Sequence, residues 1–510
     1  MVDIKIEFYD YSHVKIISSM SIIKELKDHF SFFVDGYKYS PKYLYTNWDG
    51  KISLMQLDGF LPYGLIPHLL KYAQDNNYTF ELNQELSHKT EISRDEFDSW
   101  INSKKYYSGG EEIFPYVYQT NAVYESLLNK RKILNLPTSA GKSLIQALLT
   151  KFTLENSDRS VLILVPTVGL VDQMKDDFID YGLFTKDEIA ELKAGSKQGK
   201  QRVVVSTWQS AIKKPKSWFD KFGMLLCDEM HLAVGKSITA IINKLSFCEY
   251  KIGLSGSLRD GKANLMQYIG LFGSIFNPVK TSDLMESGQI SKLKINMIFL
   301  KYPEKVCNAS LDYKSEIKLI TSLQKRTDWI SKLSVNLANR NENVFVMFKH
   351  IEHGKKIYES VKGCGHKKVF YVSGEITPEQ RNLIKKMAEE ESGVIIIASY
   401  GVFSTGISVK NLHHVIFAHG IKSKVVVLQT IGRVLRKHKS KSLAQIWDIA
   451  DDMSIEYDHN GQKYRKNKNY LLTHALDRES RYKTEGFNYI KKDVYFLKYK
   501  KRTSIEVLFL

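Results

Sequence analysis

The sequence has few of the residues and segments that mark secreted, metal-stabilised or disordered proteins. Its four cysteines are Cys227, Cys248, Cys307 and Cys364, and no two have the close spacing of a metal-binding or disulfide-forming pair. It contains only 10 prolines and no long low-complexity tract, which argues against extended disorder. We therefore expect free thiols in a reducing compartment, with neither a disulfide framework nor a zinc site.

Long apolar runs are also missing. The longest, at residues 161–164 and continuing past Pro166, is far too short to cross a bilayer. The first residues alternate as in a strand and lack the basic and then apolar pattern of a secretion signal. These absences predict a soluble, cytoplasmic protein without a membrane partner.

Basic residues are in clear excess. Lys and Arg number 74 against 56 Asp and Glu, which gives the 510-residue chain a net charge of +18. This excess favours a polyanionic partner, because neutralising phosphates releases counterions and drives association. A generally basic protein without such a partner is the alternative that charge alone leaves open.

The N-terminal region, residues 1–90, alternates between strand-like and helical spacing, which predicts a compact α+β module. Asp49 and Gly50 have the turn chemistry of a β-hairpin between residues 43–45 and 52–54. A helical linker is predicted over residues 91–111. Its start is marked by a capping box, in which Ser93 is followed three residues later by Glu96.

Two later regions, residues 112–285 and 286–452, repeat continuous apolar strands separated by helices. That rhythm is typical of parallel sheets buried on both faces, so two successive α/β domains are predicted. The expected strands lie at residues 133–136, 161–165, 203–206, 224–227, 252–254, 344–348, 369–372, 394–398, 415–418 and 445–447. The remaining residues, 453–510, read as a basic extension: either a strand that binds a nucleic-acid backbone or a solvated terminus.

A phosphate-binding loop is predicted at residues 137–143, between a strand and a helical run. Backbone N–H groups at a helix N-terminus bind phosphates, and the helix dipole adds positive potential. Lys142 is expected to pair with the β- and γ-phosphates and the Ser143 hydroxyl to bind Mg²⁺. Leu136 stands where the usual pattern has its first Gly, so a chance Gly-Lys-Ser is the alternative. The residues expected to contact the nucleotide are Pro137, Thr138, Ser139, Ala140, Gly141, Lys142 and Ser143.

An acidic pair, Asp228 and Glu229, follows the apolar strand at residues 224–227. Carboxyl ends of parallel strands face the ligand crevice of such sheets. Asp228 suits a ligand of Mg²⁺, and Glu229 suits the base that orients the attacking water. An exposed acidic turn is the ordinary alternative for a lone Asp-Glu. The order of strand, loop lysine and acidic pair instead predicts a domain that binds and hydrolyses ATP.

Together these motifs resemble those of superfamily-two helicases of the DExH kind. The loop at residues 137–143, the segment DEMH at 228–231 and SGS at 255–257 look like the family's motifs one to three. STGI at 404–407 and QTIGRVLR at 429–436 look like motifs five and six. The resemblance implies two tandem RecA-like domains and an ATP- and Mg²⁺-dependent motor that moves on nucleic acid.

The resemblance also implies further nucleotide contacts. Arg433 and Arg436, three residues apart, are expected on one helix face, from which they reach the γ-phosphate as arginine fingers with Gln429 beside them. Solvated arginines on a surface helix are the alternative. Gln119 is similar to the family's adenine-reading glutamine, although it can be an ordinary surface residue. Gly406 of motif five is expected at the nucleotide.

Five residues correspond to positions where the family binds nucleic acid. Small hydroxyl side chains and backbone N–H groups suit phosphate contact without reading sequence. An exposed tryptophan can stack a base, although core packing is at least as common for a tryptophan in this setting. The expected contacts are Pro166, Thr167, Thr207, Trp208 and Thr405.

Within the superfamily, segments 134–142, 253–264 and 398–409 resemble the helicases of phage recombination and repair, as does the Asn47–Gly50 turn. This narrower resemblance implies that the N-terminal module is a small DNA-binding domain. It also implies remodelling of Holliday junctions, stalled forks, D-loops and R-loops, with RNA–DNA hybrids among the substrates. A monomer that works with recombination proteins in the cytoplasm of a bacterial host is the corresponding expectation.

Two other interpretations stay open. The first is an RNA helicase or a duplex-DNA translocase of the same superfamily. The second is a DNA-binding, strand-annealing protein whose ATPase acts only as a switch. The N-terminal module does not decide between them, because its acidic and basic residues roughly balance.

Overall fold

The chain folds into two compact units, Met1–Lys280 and Thr281–Leu510. The computed structural model describes residues 2–86, 92–193, 199–232, 236–256, 258, 261–303, 307, 311–405, 409–459, 462–466 and 468–496. Among the described residues, no helix has the length and apolarity needed to cross a membrane.

The first unit begins with a small α+β module. Its strands are β1 (Ile4–Phe8), β2 (His13–Ser18), β3 (Ser31–Phe33), β4 (Lys51–Ser53), β5 (Phe60–Pro62) and β6 (Phe80–Leu82). Its helices are α1 (Met20–His29), α2 (Pro41–Tyr45) and α3 (Ile66–Asp75), with 3₁₀ turns at Tyr37–Tyr39, Tyr63–Leu65 and Gln84–Leu86. The main sheet has the order β5-β2-β1-β6, in which β1 is antiparallel to β2 and parallel to β6. The predicted α+β module is thus confirmed.

The hairpin predicted around Asp49 and Gly50 is wrong. Residues 43–45 belong to α2, which begins at Pro41 because proline fits the first helical position. Strand β4 instead pairs antiparallel with β3. Gly50 still needs to be glycine: its φ is +84°, and an added Cβ would meet the Tyr37 ring.

A helix and a short hairpin connect the module to the first parallel sheet. The elements are α4 (Arg94–Asn102), β7 (Tyr106–Ser108) and β8 (Glu111–Ile113). Ser93 Oγ accepts a hydrogen bond from Glu96 N at 3.2 Å, and Glu96 Oε2 accepts one from Ser93 N at 3.2 Å. The predicted capping box is therefore confirmed, and it fixes the start of α4.

A seven-stranded parallel sheet dominates the rest of the first unit. Its strands are β9 (Arg131–Asn135), β10 (Ser160–Val165), β11 (Ile189–Leu192), β12 (Val203–Thr207), β13 (Phe222–Cys227), β14 (Tyr250–Ser255) and β15 (Ile275–Phe276). The helices around it are α5 (Val117–Asn129), α6 (Lys142–Asn156), α7 (Val168–Asp180), α8 (Trp208–Ala211), α9 (Lys216–Phe219), α10 (Lys236–Lys244) and α11 (Lys262–Phe272), with 3₁₀ turns at Lys186–Glu188 and Met230–Leu232. The strand order is β11-β12-β10-β13-β14-β9-β15.

The second unit contains another seven-stranded parallel sheet. Its strands are β16 (Lys292–Lys301), β17 (Val344–Phe348), β18 (Val369–Val372), β19 (Ile395–Ser399), β20 (His414–Phe417), β21 (Leu443–Asp452) and, after the hairpin β22 (Ile455–His459) and β23 (Gln462–Lys466), β24 (Tyr489–Tyr495). The helices are α12 (Thr281–Glu286), α13 (Tyr313–Ser322), α14 (Gln324–Ala338), α15 (Ile351–Gly363), α16 (Pro378–Glu390), α17 (Tyr400–Thr405), α18 (Lys424–Val434) and α19 (Tyr470–Thr484).

The two parallel sheets have the same topology. The second has the order β18-β19-β17-β20-β21-β16-β24. Numbered from its own first strand, each sheet reads 3-4-2-5-6-1-7. Every residue of β10, β13 and β17 is buried, as expected for parallel strands covered on both faces. The prediction of two RecA-like domains is confirmed.

The C-terminal region contributes a strand to the second sheet. Strand β24 pairs in parallel with β16, and Lys491 Nζ lies 2.5 Å from Glu479 Oε1. The basic residues beyond it, Lys498, Lys500, Lys501 and Arg502, lie outside the described residues. Residues 489–495 of the predicted basic extension therefore form a strand of the second sheet.

The N-terminal module packs firmly against the first parallel sheet. Two buried cations, Arg131 of β9 and Lys251 of β14, both donate to the Tyr11 carbonyl oxygen. Ser12 Oγ donates to Ile242 O at 2.7 Å and accepts from Lys251 Nζ at 2.9 Å. Burial and the charge of Arg131 hold the pKa of Lys251 well below its usual value. Such polar groups stay buried only where their hydrogen bonds are satisfied, so this contact fixes the module to the first parallel-sheet domain.

Candidate nucleotide and nucleic-acid site

The phosphate-binding loop follows β9 and ends where α6 begins at Lys142. Ser139 and Gly141 have φ of +72° and +74°, and Ala140 N donates to Pro137 O at 3.2 Å. Positive φ at a non-glycine residue is uncommon and marks backbone that its surroundings hold in place. The loop therefore has a fixed shape, and α6 presents its free N–H groups beside it.

Gln119 braces this loop from α5. Its Nε2 donates to Ala140 O at 3.0 Å, and its Oε1 accepts from Tyr116 N at 2.8 Å. Tyr118 OH also donates to Ala140 O, at 3.1 Å. A Cβ at Gly141 would collide with Gln119 Nε2, so the glycine permits this approach. Adenine recognition by Gln119 stays a prediction, since its amide here contacts the loop itself.

The acidic pair lies at the carboxyl end of β13. Glu229 has a φ of +46°, and its Oε1 lies 3.3 Å from Lys142 Nζ. A strained backbone angle at such a position is typical of functional sites. The fold thus brings the loop lysine and the second acid, which are 87 residues apart in the chain, into direct contact.

Asp228, the first acid of the pair, is buried. Its Oδ1 has no hydrogen-bond partner among the described residues. Burial, and then the charge of Glu229, raises the pKa of Asp228 to about 7, while the Lys142 ammonium opposes the rise. A buried oxygen without a partner is costly, and a perturbed carboxyl beside a phosphate-binding loop indicates a ligand site.

Three more contacts complete the loop's surroundings. Ser143 Oγ lies 2.7 Å from Tyr181 OH at the end of α7. A Cβ at Gly256 would lie 3.3 Å from Lys142 Nζ and 3.4 Å from Thr138 Oγ1. Glycine at 256 therefore lets the end of β14 approach the loop closely. Tyr181 is a partner that no local sequence pattern indicated, because only the folded chain brings α7 to Ser143.

His231 links the acidic pair to β14. Its buried Nδ1 lies 2.7 Å from Ser255 Oγ and 3.3 Å from Glu229 Oε2. Tyr268 OH donates to the His231 carbonyl oxygen at 3.3 Å. The DEMH pattern drew attention to this histidine, but its contact with Glu229 emerges only from the fold. Ser257, which follows Ser255 and Gly256, lies outside the described residues.

The expected nucleic-acid contacts of the first unit lie on neighbouring strands at the same sheet edge. Val165 of β10 pairs with Thr207 of β12, and Pro166 and Thr167 follow β10 directly. Thr207 Oγ1 caps α8 by accepting from Ser210 N at 3.3 Å. The buried Thr167 Oγ1 has no hydrogen-bond partner within the described part of the chain. The carboxyl edge thus carries hydroxyl groups over β10 and β12, beside the acidic pair on β13.

Trp208 is half-buried and packs against the core of the first unit. Core packing is the alternative that the sequence left open for Trp208. A ring that serves the core has less surface to offer a base, and its contact with nucleic acid stays a prediction.

The motif-six residues of the second unit are only partly on a helix. Gln429 and Arg433 lie on α18, and the Arg433 guanidinium is 5.7 Å from the centre of the Phe403 ring. The expectation that Arg436 shares their helix is wrong, because α18 ends at Val434. Lys441 Nζ donates to the Val434 carbonyl oxygen at 2.7 Å, and a cation is favourable at a helix C-terminus.

The motif-five residues are less fully placed. Thr405 is the last residue of α17, and Gly406 lies outside the described residues. Their contacts with nucleic acid and nucleotide therefore stay predictions.

The class is defined by two parallel sheets of one topology, the first of which carries a phosphate-binding loop and an acidic pair whose first member, Asp228, is buried. They are the motor domains of a superfamily-two helicase. Three family models match the chain: "DNA helicase UvsW, N-terminal" at residues 3–83, "Type III restriction enzyme, res subunit" at 112–260, and "Helicase conserved C-terminal domain" at 325–438.

Comparisons with individual proteins identify the family within this class. The chain is 52% identical over 500 residues to the ATP-dependent DNA helicase UvsW of phage T4, covering 96% of this chain and 99% of that protein. The crystal structure of T4 UvsW matches with a TM-score of 0.53 at 50% identity, over 97% of this chain and 100% of that one. A fragment of a type I restriction HsdR subunit from Vibrio vulnificus matches over 75% of this chain and 68% of its own, with a TM-score of 0.55 at 18% identity, which shows the fold alone.

The chain therefore belongs to the UvsW family of ATP-dependent DNA helicases. It is an enzyme that uses ATP and acts on DNA.

Proposed function

We propose that this helicase uses ATP to remodel branched DNA, namely Holliday junctions, stalled forks, D-loops and R-loops, in recombination, repair and replication. The observation that carries the proposal is the N-terminal module, whose core is continuous with that of the first parallel sheet. A module fixed in this way adds a contact surface beside the motor, which suits a substrate where several arms meet. The proposed partners are DNA with single-stranded regions, RNA–DNA hybrids and recombination proteins, and the proposed form is a monomer in the cytoplasm of a bacterial host.

Lys142 and Glu229 are the proposed centre of ATP hydrolysis. Lys142 begins α6, where free N–H groups and the helix dipole favour anions. It can exchange its 3.3 Å contact with Glu229 for the β- and γ-phosphates. The Glu229 carboxylate can then orient a water molecule and accept its proton.

Two oxygen-bearing side chains fit Mg²⁺, which prefers hard oxygen ligands. Asp228 Oδ1 is buried and has no hydrogen-bond partner among the described residues. Ser143 Oγ retains acceptor capacity beside its contact with Tyr181 OH. We assign both to Mg²⁺, which when bound neutralises charge on the β- and γ-phosphates.

Further nucleotide contacts are proposed from both units. The backbone of loop residues 137–141 is proposed to line the phosphates, which accept from its N–H groups beyond Pro137. Gln119 is proposed to contact adenine, and Gly406 to contribute from motif five. Arg433 and Arg436 are proposed to stabilise charge on the γ-phosphate, with Gln429 assisting. Replacing either arginine with alanine should slow hydrolysis more than it weakens ATP binding.

The nucleic-acid backbone is proposed to follow the carboxyl ends of β10 and β12. Pro166, Thr167 and Thr207 occupy that edge, and the buried Thr167 hydroxyl has no partner within the described residues that would compete with a phosphate. Thr405 and Trp208 are proposed as additional contacts. Contacts of this kind bind any sequence, as a moving helicase requires.

The deciding experiment compares four-way-junction DNA, linear duplex DNA and RNA as stimulators of ATP hydrolysis and as unwinding substrates. We expect the junction to give the largest stimulation and to be unwound only with ATP. Equal stimulation by linear duplex or by RNA would favour the alternative helicase classes. Annealing that proceeds equally well without ATP, with no unwinding, would indicate a strand-annealing protein. Lys142→Ala serves as the control without a working ATP site.

A further inference from the structure

The N-terminal module exposes an unusual concentration of aromatic side chains. They lie on residues 33–51, which run from the end of β3 through α2 to the start of β4 and which we call the aromatic loop. Tyr39 and Tyr45 are 87% and 83% exposed, and Phe33 and Leu44 are 51% and 58% exposed. Single exposed apolar residues are ordinary, but a contiguous patch marks an interaction site.

The aromatic loop is held in shape by its own contacts. The Phe33 and Tyr37 rings stack with centroids 4.8 Å apart, and Tyr43 meets Tyr37 edge-on at 5.0 Å. Trp48 Nε1 donates to Lys51 O at 2.7 Å. These packed rings form the base of the loop, and the exposed Tyr39 lies in the same 3₁₀ turn as Tyr37. Shape that is fixed before binding lowers the entropic cost of binding.

Tyr39 and Tyr45 take no part in that base. Among the described residues, neither ring makes an aromatic, cation–π or side-chain hydrogen-bond contact, and both are more exposed than any other tyrosine of the loop. Exposure of two such rings to water does not stabilise the folded chain. A ligand with flat apolar faces would bury them favourably.

Lysines accompany the rings. Lys42 Nζ lies 4.8 Å from the centre of the Trp48 ring and Lys51 Nζ lies 5.0 Å from that of Phe33, while Lys38 adjoins Tyr39. Of the acids in the loop, Asp49 is engaged in its own turn, where its Oδ1 accepts from Lys51 N at 2.9 Å. Aromatic faces interleaved with cations suit unpaired nucleotides, whose bases stack and whose phosphates are anionic.

The aromatic loop is anchored to the first motor domain. An added Cβ at Gly261, the residue before α11, would meet the Asp35 carboxylate. Lys262 Nζ lies 5.2 Å from the centre of the Phe32 ring. Helix α11 follows β14, whose carboxyl end contacts the phosphate-binding loop through Gly256. The exposed rings therefore move together with the ATP-binding domain.

We propose that Tyr39 and Tyr45 stack on unpaired DNA bases at the point where strands separate, with Lys38 and Lys42 binding the adjoining phosphates. This inference rests on the proposed action on branched DNA and names the part of the substrate that the N-terminal module contacts. A protein partner is less well matched, because protein interfaces are depleted of lysine at their centre. Stacking reads no sequence, which suits a motor that passes over every base.

The test uses the full-length chain without ATP and a DNA fork that carries 2-aminopurine at the first unpaired position. Binding of the unaltered chain should change the 2-aminopurine fluorescence through stacking. Tyr39→Leu with Tyr45→Leu keeps apolar bulk but removes the rings, so the change should disappear. Affinity for the fork should fall at least about fivefold for each ring, while affinity for fully paired duplex stays the same. Tyr39→Phe with Tyr45→Phe should retain both the fluorescence change and the affinity.

Phe247→Leu is a matched control, since Phe247 is 55% exposed and lies outside the module. It should behave as the unaltered chain does. Unchanged fork binding and fluorescence in the double leucine variant would overturn the inference. An equal loss of affinity for fully paired duplex in that variant would also overturn it. So would a variant that keeps the fork response but loses binding to a protein partner.

Failure of this inference is distinguishable from failure of the proposed function. If the unaltered chain unwinds junctions no better than linear duplex, the proposed function fails. A single-stranded oligonucleotide with 2-aminopurine then still decides whether the two tyrosines stack on bases.

Discussion

The two parallel sheets share one strand order, yet their buried acidic side chains have opposite environments. After its fifth strand in chain order, the first sheet carries Asp228, whose Oδ1 has no hydrogen-bond partner among the described residues. The second sheet neutralises its buried acids. Asp448 accepts from Arg478 Nε at 2.8 Å and from Arg478 Nη2 at 2.6 Å, and Asp451 accepts likewise from Arg326.

This difference separates a ligand site from a structural network on the same fold. A buried ion pair with its hydrogen bonds made is compatible with a purely structural role. A buried carboxyl oxygen without a partner destabilises the fold unless something else compensates, and functional sites are where such costs are tolerated. The comparison predicts that replacing a buried aspartate with asparagine lowers the free energy of unfolding in the second unit but not in the first.

The largest effect should follow Glu229→Gln. The amide keeps the shape of the side chain but cannot accept a proton, and loss of a general base costs about 10²- to 10⁴-fold in rate. We expect kcat for ATP hydrolysis to fall by about 10³-fold while ATP still binds, as measured by a steady-state assay and by equilibrium titration with nucleotide.

Glu249→Gln is the control for that substitution. Glu249 Oε1 lies 2.5 Å from Lys130 Nζ, so the change also removes a glutamate–lysine pair from the first unit, but away from the nucleotide site. It should leave kcat within about twofold, since half-exposed ion pairs contribute little. ATP-driven unwinding by Glu229→Gln would show that another group is the base.

In the second unit, Asp448→Asn should cause a large loss of stability. The change leaves the Arg478 guanidinium buried without a counter-charge, and Tyr482 OH loses its charged acceptor at 2.8 Å. Breaking one side of a buried pair costs about 3–5 kcal/mol. Chemical denaturation monitored by fluorescence should show that loss in the free energy of unfolding.

A double variant distinguishes the contribution of the Asp448–Arg478 ion pair from that of the other partners of these residues. Asp448→Leu with Arg478→Met removes both charges and leaves apolar side chains in their place. It should be more stable than Asp448→Asn alone, because no buried charge remains unpaired. A double variant that is less stable would mean that the other partners of Asp448 and Arg478 matter more than the pair.

The sequence predicted most of the elements that carry continuous apolar runs. Strands β17 and β18 have the predicted bounds, and the capping box at Ser93 was found as expected. The short β11 and β15, the long β16 and the lysine-bearing β24 were not identified as members of the sheets. Strands β11, β15 and β24 lie at sheet edges, where polar residues hide the pattern that identifies buried strands. In β16, Lys292, Lys294 and Asn296 interrupt the apolar run.

The sequence predicted the candidate site as a set of motifs but not as a geometry. The acidic pair and the loop lysine were found from their order along the chain. The Gln119 contact with Ala140, the Tyr181 contact with Ser143 and the lone Asp228 oxygen depend on side chains brought together by tertiary packing. Spacing along a chain contains no information about such contacts. The aromatic loop was missed because its whole module is balanced in charge, and only exposure reveals its surface.

His419, which corresponds in position to Glu229, should give the second unit an acid-sensitive stability. Burial, and then the charges of Arg326, His350, His353 and Lys349, lowers its pKa to about 2. The folded chain therefore keeps His419 neutral where the unfolded chain protonates it, and stability is lost as pH falls below about 6.5. His419→Leu should remove up to about 1.4 kcal/mol of that loss per pH unit, measured by denaturation between pH 7 and pH 5. Equal pH dependence in both proteins would contradict a buried neutral imidazole.

The smallest effect on stability should come from Asp228→Asn, although it is the same chemical change as Asp448→Asn. No cation is left unpaired by it, because Lys142 retains its contact with Glu229, and a neutral amide is cheaper to bury than a carboxylate. Without Mg²⁺ and ATP, the free energy of unfolding should stay within about 1 kcal/mol of the original or rise. Adding both ligands should stabilise the unaltered chain, since a ligand that binds only the folded state raises its stability, and should stabilise the variant less. A loss as large as that of Asp448→Asn would mean that Asp228 is a structural carboxylate, and the contrast between the two sheets would no longer identify the ligand site.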